Sequence, residues 1–259
     1  MPDIPLTSVF VLCLAALAAG WIDAVVGGGG LLLLPALFLG VPHVAPAQIL
    51  GTNKAVAVVG TGAAAVTYAR RAPVNVRTAV GIGIAAVCGS MTGAFFAAGI
   101  DSDLLRPLIM VVLLAVLAFV MLRPSFGTAV QGPPAGRARV LTAIGVAGLG
   151  IGFYDGLFGP GTGTFLVIAL TAVLHLNLVT ASATAKIVNV CTNLGALGMF
   201  AYHGTVMWQL AAPMALCNLV GGMTGARTAL NRGSGFVRLV LVVVVVTLVG
   251  KLAYDQWLG

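Results

Sequence analysis

The chain has 259 residues, of which 60% are hydrophobic and only 7% are charged, and its mean hydropathy is +1.11. A soluble protein of this size needs a far more polar surface, so the composition excludes a soluble globular domain and indicates a polytopic membrane protein. The net charge of +7 comes largely from arginines in short loops between apolar runs, which is a topology signal and excludes a nucleic-acid-binding patch.

The first half of the sequence contains five apolar runs, and a glycine-rich break separates the first two. The break comprises Gly27 to Gly30, and the run that follows it is too short to cross a bilayer as a helix. Such interruptions, where they recur at matching places in two halves of a transporter, indicate broken helices around a binding site. The predicted helices of this half are 6–26, 31–42, 46–69, 76–99 and 104–122.

A polar segment at 123–139 leads to five further apolar runs with the same organisation. The second break comprises Gly159 to Gly163, and another short run follows it. We therefore divide the chain into a first repeat at 1–122, a cytoplasmic linker at 123–139 and a second repeat at 140–259. The predicted helices of the second half are 140–158, 162–176, 178–202, 206–229 and 236–257.

The two halves match each other without a gap. Asp155 follows Asp23 by 132 positions, and Lys186 follows Lys54 by the same distance. Glycines that recur at small-xxx-small spacing predict close helix packing. These glycines are Gly89 and Gly93 in the first half, and Gly221 and Gly225 in the second half. Such duplication in an apolar chain is typical of transporters.

The loop charges predict how the two repeats are oriented. Three groups of arginines mark cytoplasmic loops by the positive-inside rule. They are Arg70, Arg71 and Arg77; Arg123, Arg137 and Arg139; and Arg227, Arg232 and Arg238. The number of crossings then requires a broken-helix hairpin, re-entrant or fully crossing, followed by three transmembrane helices in each repeat. We predict two inverted-topology repeats, both termini outside, in a bacterial-type plasma (inner) membrane.

Four ionisable residues lie well inside apolar runs, where charge is costly and usually functional. Lys54 and Lys186 could attract an anion or pair with an aspartate. Asp23 and Asp155 could carry protons, pair with the lysines or bind a coupling cation, and a structural ion pair explains the pattern equally well. If Lys186 is structural, we expect Asp155→Asn to rescue Lys186→Ala.

The breaks and the polar helix faces predict an anion site. Main-chain N–H groups that open a half-helix lack partners, and the helix dipole there favours an anion. Motifs of ordinary catalysis, metal binding and cofactor binding do not occur in the sequence. The candidate substrate-binding residues are Gly27, Gly28, Gly29, Gly30, Thr52, Asn53, Lys54, Gly159, Gly161, Thr162, Gly163, Thr184, Lys186, Asn189 and Asn193.

Several stretches across both halves resemble the TauE/SafE family of sulfite and organosulfonate exporters, and more closely its YfcA-like branch of membrane transporters. They are Ile22 to Gly30 with Pro35, Leu50 to Lys54, Gly152 to Gly156, Phe158 to Gly163, and Ser182 to Lys186. The resemblance implies export of anionic sulfur compounds, coupled to an ion gradient, without ATP.

We therefore expect a secondary transporter of small anions, sulfite or organosulfonates foremost, that works by alternating access and is not an enzyme. The expected partners are the anion, the lipid bilayer and a coupling ion, either proton or sodium; a homo-oligomer is an open alternative to a monomer. Two other function classes remain open, namely an anion channel and an integral-membrane accessory protein or enzyme without transport. Saturable flux and uphill accumulation separate a transporter from a channel.

Overall fold

The computed structural model describes residues 5–122 and 135–232, and every regular element within them is a helix. The predicted run at 236–257 lies outside the described residues, as does most of the linker. The helices of the first half are α1 (Leu6–Val26), α2 (Gly29–Gly40), α3 (Pro46–Ala69), α4 (Val76–Gly99) and α5 (Ser102–Leu122). Those of the second half are α6 (Arg137–Ala143), α7 (Ile151–Leu157), α8 (Thr162–Leu174), α9 (Leu178–Tyr202) and α10 (Trp208–Arg232).

A π-helical segment, Ile144–Gly150, joins α6 to α7 into one continuous helix of 21 residues. The sequence does not predict this segment. The equivalent residues of α1 form a regular α-helix, so the two repeats differ here. Among the described residues, four helices are long and apolar enough to cross a membrane by length and composition, namely Leu6–Val26, Pro46–Ala69, Val76–Gly99 and Arg137–Leu157. The described part of the chain is therefore all-α, with the long apolar helices of a multi-pass membrane protein.

The two short helices are the halves that follow the glycine breaks. Helix α2 has 12 residues and α8 has 13, so each is about 18–20 Å long and cannot span a 30 Å hydrocarbon layer. Most of the α2 surface is buried, including Leu31, Leu34 and Leu37, which are fully enclosed. A helix that is apolar all round and buried lies inside a bundle, and here α2 occupies that place.

Glycine is required where the chain turns between half-helices. Gly27 ends α1 with a φ of +78°, and its N–H donates to the carbonyl of Asp23. Gly159 and Gly161 have φ values of +91° and +73° in the second break. Side chains disfavour these left-handed conformations, so glycine permits both chain reversals at little steric cost.

Each long helix before a break packs against a helix of the other half. Helix α1 lies along α10, and the continuous α6–α7 helix lies along α4. A Cβ atom on Gly89 would lie 2.5 Å from the main-chain oxygen of Leu149, and one on Gly221 would collide with the equivalent oxygen of Leu17. These close approaches confirm that the recurring glycines are packing positions, and they show equivalent contacts in the two halves.

Helices α3 and α9, which are equivalent under the internal repeat, pack against each other and run in opposite directions. Gly51, near the start of α3, lies against Phe200, near the end of α9. Thr61, ten residues further along α3, bonds to the same Asp23 carboxylate as Lys186, which lies in the first half of α9. The antiparallel pair places the polar residues of both helices at the same depth in the bundle.

Candidate functional site

The two glycine breaks meet in the middle of the bundle. A Cβ atom on Gly163 would lie 2.5 Å from the Cα atom of Gly27, so the two main chains touch without a side chain between them. Thr164 fixes this contact, because its hydroxyl donates a hydrogen bond of 2.6 Å to the main-chain oxygen of Val26. The contact holds the start of α8 against the end of α1.

A cleft of about 410 Å³, counting the part that opens to the surroundings, lies beside this contact. Its lining includes the first two residues of α2, Gly29 and Gly30, and the first two of α8, Thr162 and Gly163. The N–H groups of these residues have no acceptor inside their own helices. Both half-helices therefore present the positive ends of their dipoles to one space.

Two lysine–aspartate ion pairs lie at the cleft. Lys54 Nζ is 2.8 Å from Asp155 Oδ2, and Lys186 Nζ is 2.8 Å from Asp23 Oδ2. Each pair joins a lysine of one repeat to the aspartate of the other, and the two pairs are equivalent under the repeat. The expectation that Asp155→Asn rescues Lys186→Ala is wrong, because Lys186 pairs with Asp23. The internal shift shows which residues correspond but not which of them touch.

The two ion pairs differ in their surroundings. The pair of Lys54 and Asp155 is almost fully buried, with side chains 1% and 2% exposed, and the hydroxyl of Thr162 donates to Asp155 Oδ1 at 2.6 Å. The Asp23 side chain is 16% exposed, and its carboxylate also accepts a longer hydrogen bond of 3.3 Å from Thr61. One pair is thus enclosed, whereas the other reaches the open part of the cleft.

The two lysines also face different ways. Lys54 lines the cleft, and its ammonium group lies next to Gly159. Lys186 does not line the cleft, because its ammonium group is held by Asp23, through both the carboxylate and the main-chain oxygen. In this conformation Lys54 is therefore the lysine that an anion in the cleft would meet.

Amide side chains complete the wall of the cleft. Asn53 is 4% exposed and lines the cleft, and its amide makes no hydrogen bond within the described part of the chain. Asn189 accepts hydrogen bonds at its side-chain oxygen from Thr192 and Asn193, at 3.1 and 3.4 Å, which orients its own NH2 group away from them. Because the Asn53 amide bonds to no described group, it can contact a ligand or water in the cleft.

Most of the sequence-predicted site residues come together at the cleft. Those that line it are Asp23, Gly27, Gly29, Gly30, Asn53, Lys54, Asp155, Gly159, Thr162, Gly163, Asn189 and Asn193. Five others do not line it, namely Gly28, Thr52, Gly161, Thr184 and Lys186.

The hydroxyls of the two threonines among these five make hydrogen bonds to the main chain instead. The hydroxyl of Thr52 accepts a hydrogen bond from the N–H of Met207, and that of Thr184 donates to the carbonyl of Thr180. The Thr52 hydroxyl thus joins α3 to the segment before α10, whereas the Thr184 hydroxyl bonds within its own helix, and neither residue lines the cleft.

The sequence does not single out Thr61 and Asn218, although both line the cleft. Thr61 could have been found, because it is equivalent to the polar residue Asn193 under the repeat. Asn218 has an alanine at its equivalent position, and its amide donates to the main-chain oxygen of Ala16, so pattern matching has no signal for it.

The described residues contain no group of three or more histidine, cysteine, aspartate or glutamate side chains that could hold a metal ion. Histidine is absent from the cleft lining, and His175 ends α8 in a left-handed conformation with a φ of +52°. The chemistry that the cleft offers is therefore that of ammonium, amide, hydroxyl and main-chain N–H donors, with two carboxylates that can accept protons.

Comparison with known proteins gives relatives along nearly the whole chain. The family model described as sulfite exporter TauE/SafE matches residues 12–252. A probable membrane transporter protein, ORF9, of a Sinorhizobium species is 33% identical, with all of both chains covered. The probable membrane transporter protein YfcA of Escherichia coli K12 is 34% identical, over 96% of this chain and 93% of that protein. No solved structure gives a significant match.

Proposed function

Because this chain belongs to the sulfite exporter TauE/SafE family, whose members are membrane transporters and not enzymes, we propose that it is a secondary transporter of small anions. The observation that carries the proposal is the cleft in which two half-helix N-termini and Lys54 face the same space. Sulfite and small organosulfonates are the substrates that the family description favours, and we propose export of one of them.

The donor groups of the cleft suit an oxyanion. Main-chain N–H groups at a helix start bind anions through directed hydrogen bonds and the helix dipole. The Lys54 ammonium group and the Asn53 amide add side-chain donors on another wall of the cleft. The interior has room for only about two or three water-sized groups, which fits an anion of few atoms and requires the cleft to widen for a larger one.

We further propose that the two repeats have inverted topology and exchange access to this cleft. The antiparallel course of the equivalent helices α3 and α9 supports the inversion, since equivalent spans that run oppositely enter the membrane from opposite sides. In this proposal both termini lie outside a bacterial plasma membrane, and the loops around Arg71, Gly132 and Arg232 are cytoplasmic. Each broken helix packs on the other repeat in an equivalent way. The two repeats could therefore exchange conformations in the transport cycle, which would open the cleft to the opposite side of the membrane.

The aspartates are the proposed coupling groups. Asp23 and Asp155 are the carboxylates next to the cleft, and each one neutralises a lysine. A proton on either carboxylate would free the positive charge of its lysine for the substrate. We therefore propose proton coupling in preference to sodium, because Lys186 already occupies the Asp23 carboxylate and Lys54 the Asp155 carboxylate.

Transport by purified protein in proteoliposomes tests this function. We expect saturable uptake of sulfite or a small sulfonate, with accumulation above equilibrium when a proton gradient is imposed. Lys54→Met should abolish it, whereas Arg77→Met should not, because the Arg77 side chain is exposed at the start of α4. Absence of flux and of binding for sulfur oxyanions, carboxylates and phosphate would refute the proposal, and non-saturable flux that only dissipates gradients would indicate a channel.

A further inference from the structure

The charges around the cleft cancel in a way that limits what can bind. Two ammonium groups and two carboxylates form the two cross-repeat ion pairs, so their summed charge is zero when all four are ionised. Both pairs are largely removed from water. In such buried surroundings an additional unpaired charge costs much free energy. The positive potential that remains for a ligand therefore has to come from the main chain.

That remaining potential has two sources of known size. Helices α2 and α8 each carry about half of an elementary positive charge at the N-terminus, and the first residues of both line the cleft. Together they compensate no more than about one negative charge, because the C-termini of α1 and α7 lie at the same breaks and oppose them. The unpartnered amide of Asn53, whose side chain is buried and also lines the cleft, independently marks this space as one that is completed by a ligand.

Resting on the proposed transport of anions, we propose that the cleft compensates a single negative charge. It binds a monoanion with both aspartates ionised, and it binds a dianion only together with one proton, which is taken up on the carboxylate of Asp23. When Asp23 becomes neutral, the charge of Lys186 is no longer cancelled and supplies the second positive charge.

Asp23 is the proton acceptor because its carboxylate reaches the open part of the cleft. The side chain of Asp155 is 2% exposed, against 16% for Asp23, and the Asp155 carboxylate is held by both Lys54 and the Thr162 hydroxyl. Neutralising Asp155 would disrupt an enclosed pair, whereas Lys186 keeps the main-chain oxygen of Asp23 after the Asp23 carboxylate has taken a proton.

The charged and titratable groups that face Asp23 are few. Lys186 contacts it from α9, and Tyr68 of α3 donates its hydroxyl to the adjacent carbonyl of Ala24. Lys54 and Asp155 lie across the cleft. Helices α2 and α8 contain no titratable side chain, and Arg227 of α10 is exposed. Cys217 of α10 contacts Cys13 on α1, away from Asp23. Lys186 is thus the only described group in direct ionic contact with Asp23.

Two anions of the same shape and different charge test the proposal. Methanesulfonate and sulfate are both tetrahedral and have the same number of heavy atoms, but a methyl group replaces one charged oxygen in methanesulfonate. Binding to the purified full-length protein is measured by calorimetry near neutral pH in two buffers of different ionisation enthalpy, which gives the protons taken up per ligand bound. We expect about none for methanesulfonate and about one for sulfate.

Sulfate binding without proton uptake, or uptake of a proton with methanesulfonate, would overturn the charge rule while leaving anion transport intact. No binding of either anion, or of any in the wider panel, would overturn the proposed function and the rule together. These wild-type measurements decide the question without any variant.

An Asp23→Asn variant then assigns the proton to its residue. The amide keeps the shape of the side chain and permanently removes its charge, so we expect this variant to bind sulfate with no proton uptake. Asp103→Asn is the matched control, because Asp103 is exposed in the first turn of α5, and it should retain about one proton per sulfate. Retention of that proton in a folded Asp23→Asn protein would contradict the assignment to Asp23.

Discussion

Removal of the buried lysine Lys54 should destabilise the protein strongly, and a second substitution at its partner should restore it. Lys54→Met leaves Asp155 as an ionised carboxylate that is 2% exposed, with only the Thr162 hydroxyl as a side-chain donor. Breaking one partner of a buried ion pair costs about 3–5 kcal/mol. At roughly 2–4 °C per kcal/mol for a chain of this size, the melting temperature should fall by about 6–20 °C.

The double variant Lys54→Met/Asp155→Asn should recover most of that loss, because no uncompensated charge remains. The combination Lys54→Met/Asp23→Asn should not recover it, since it leaves Asp155 and Lys186 both without partners. Circular dichroism of the purified proteins in detergent measures the melting temperatures. Wild type, Lys54→Met, Asp155→Asn and Lys54→Met/Asp155→Asn complete a double-mutant cycle, and Lys54→Met/Asp23→Asn is the comparison.

The equivalent pair provides an internal comparison of magnitude. Lys186→Met should cost less than Lys54→Met, because its partner Asp23 is 16% exposed and keeps a hydrogen bond from Thr61. We expect Asp23→Asn, and not Asp155→Asn, to restore the stability of the Lys186→Met protein. A Lys54→Met protein as stable as wild type, or equal rescue by both aspartate substitutions, would refute the cross-repeat pairing on which this reasoning depends.

Three further measurements test the site and the topology. Asn53→Ala should preserve the fold, because the second repeat has alanine at the equivalent position. It should weaken anion binding about 10–150-fold, because a hydrogen bond to a charged ligand contributes about 1.5–3 kcal/mol. Unchanged affinity in calorimetry would exclude Asn53 from the site. Gly163→Ala should lower the melting temperature through overpacking of about 1–3 kcal/mol, since its Cβ would meet the main chain of Gly27 at 2.5 Å, whereas Gly62→Ala meets nothing within 4 Å and should be neutral or stabilising. Single cysteines at Arg71 and His203, in a background without the four native cysteines, should react with impermeant reagents from opposite sides of the membrane; labelling of both from one side would contradict the topology.

The helices could be predicted from the sequence because each of them coincides with an apolar run that ends at glycine, proline or a polar loop. The first two predicted runs, 6–26 and 31–42, differ from α1 and α2 by at most two residues at any end. The start of α2 differs from the predicted start for a local reason. Helix α2 begins at Gly29, inside the break, because Gly27 alone makes the chain reversal.

The positions of the ion-pair partners could not be predicted in the same way. The repeat shows that Lys54 corresponds to Lys186, but contact depends on how helices of one half pack on the other half. Asn218 lies in the cleft for the same reason, since only the packing of α1, α3 and α10 brings its face there, whereas the equivalence of Thr61 to Asn193 could have revealed Thr61. The π-helical segment before α7 has no marker in the apolar pattern, because its period differs from that of an α-helix by only about one residue per turn.

The crossing of the ion pairs between repeats also constrains how the protein is made. Synthesis proceeds from the N-terminus, so Asp23 and Lys54 leave the ribosome before either partner exists. Asp155 follows Lys54 by 101 residues, which at about 5–20 residues per second corresponds to a wait of roughly 5–20 s. An unpaired charge in the bilayer costs about 2.5–3.5 kcal/mol during this interval. The first half therefore carries uncompensated charge until the second half arrives, and the two halves reach their full stability only as one assembly.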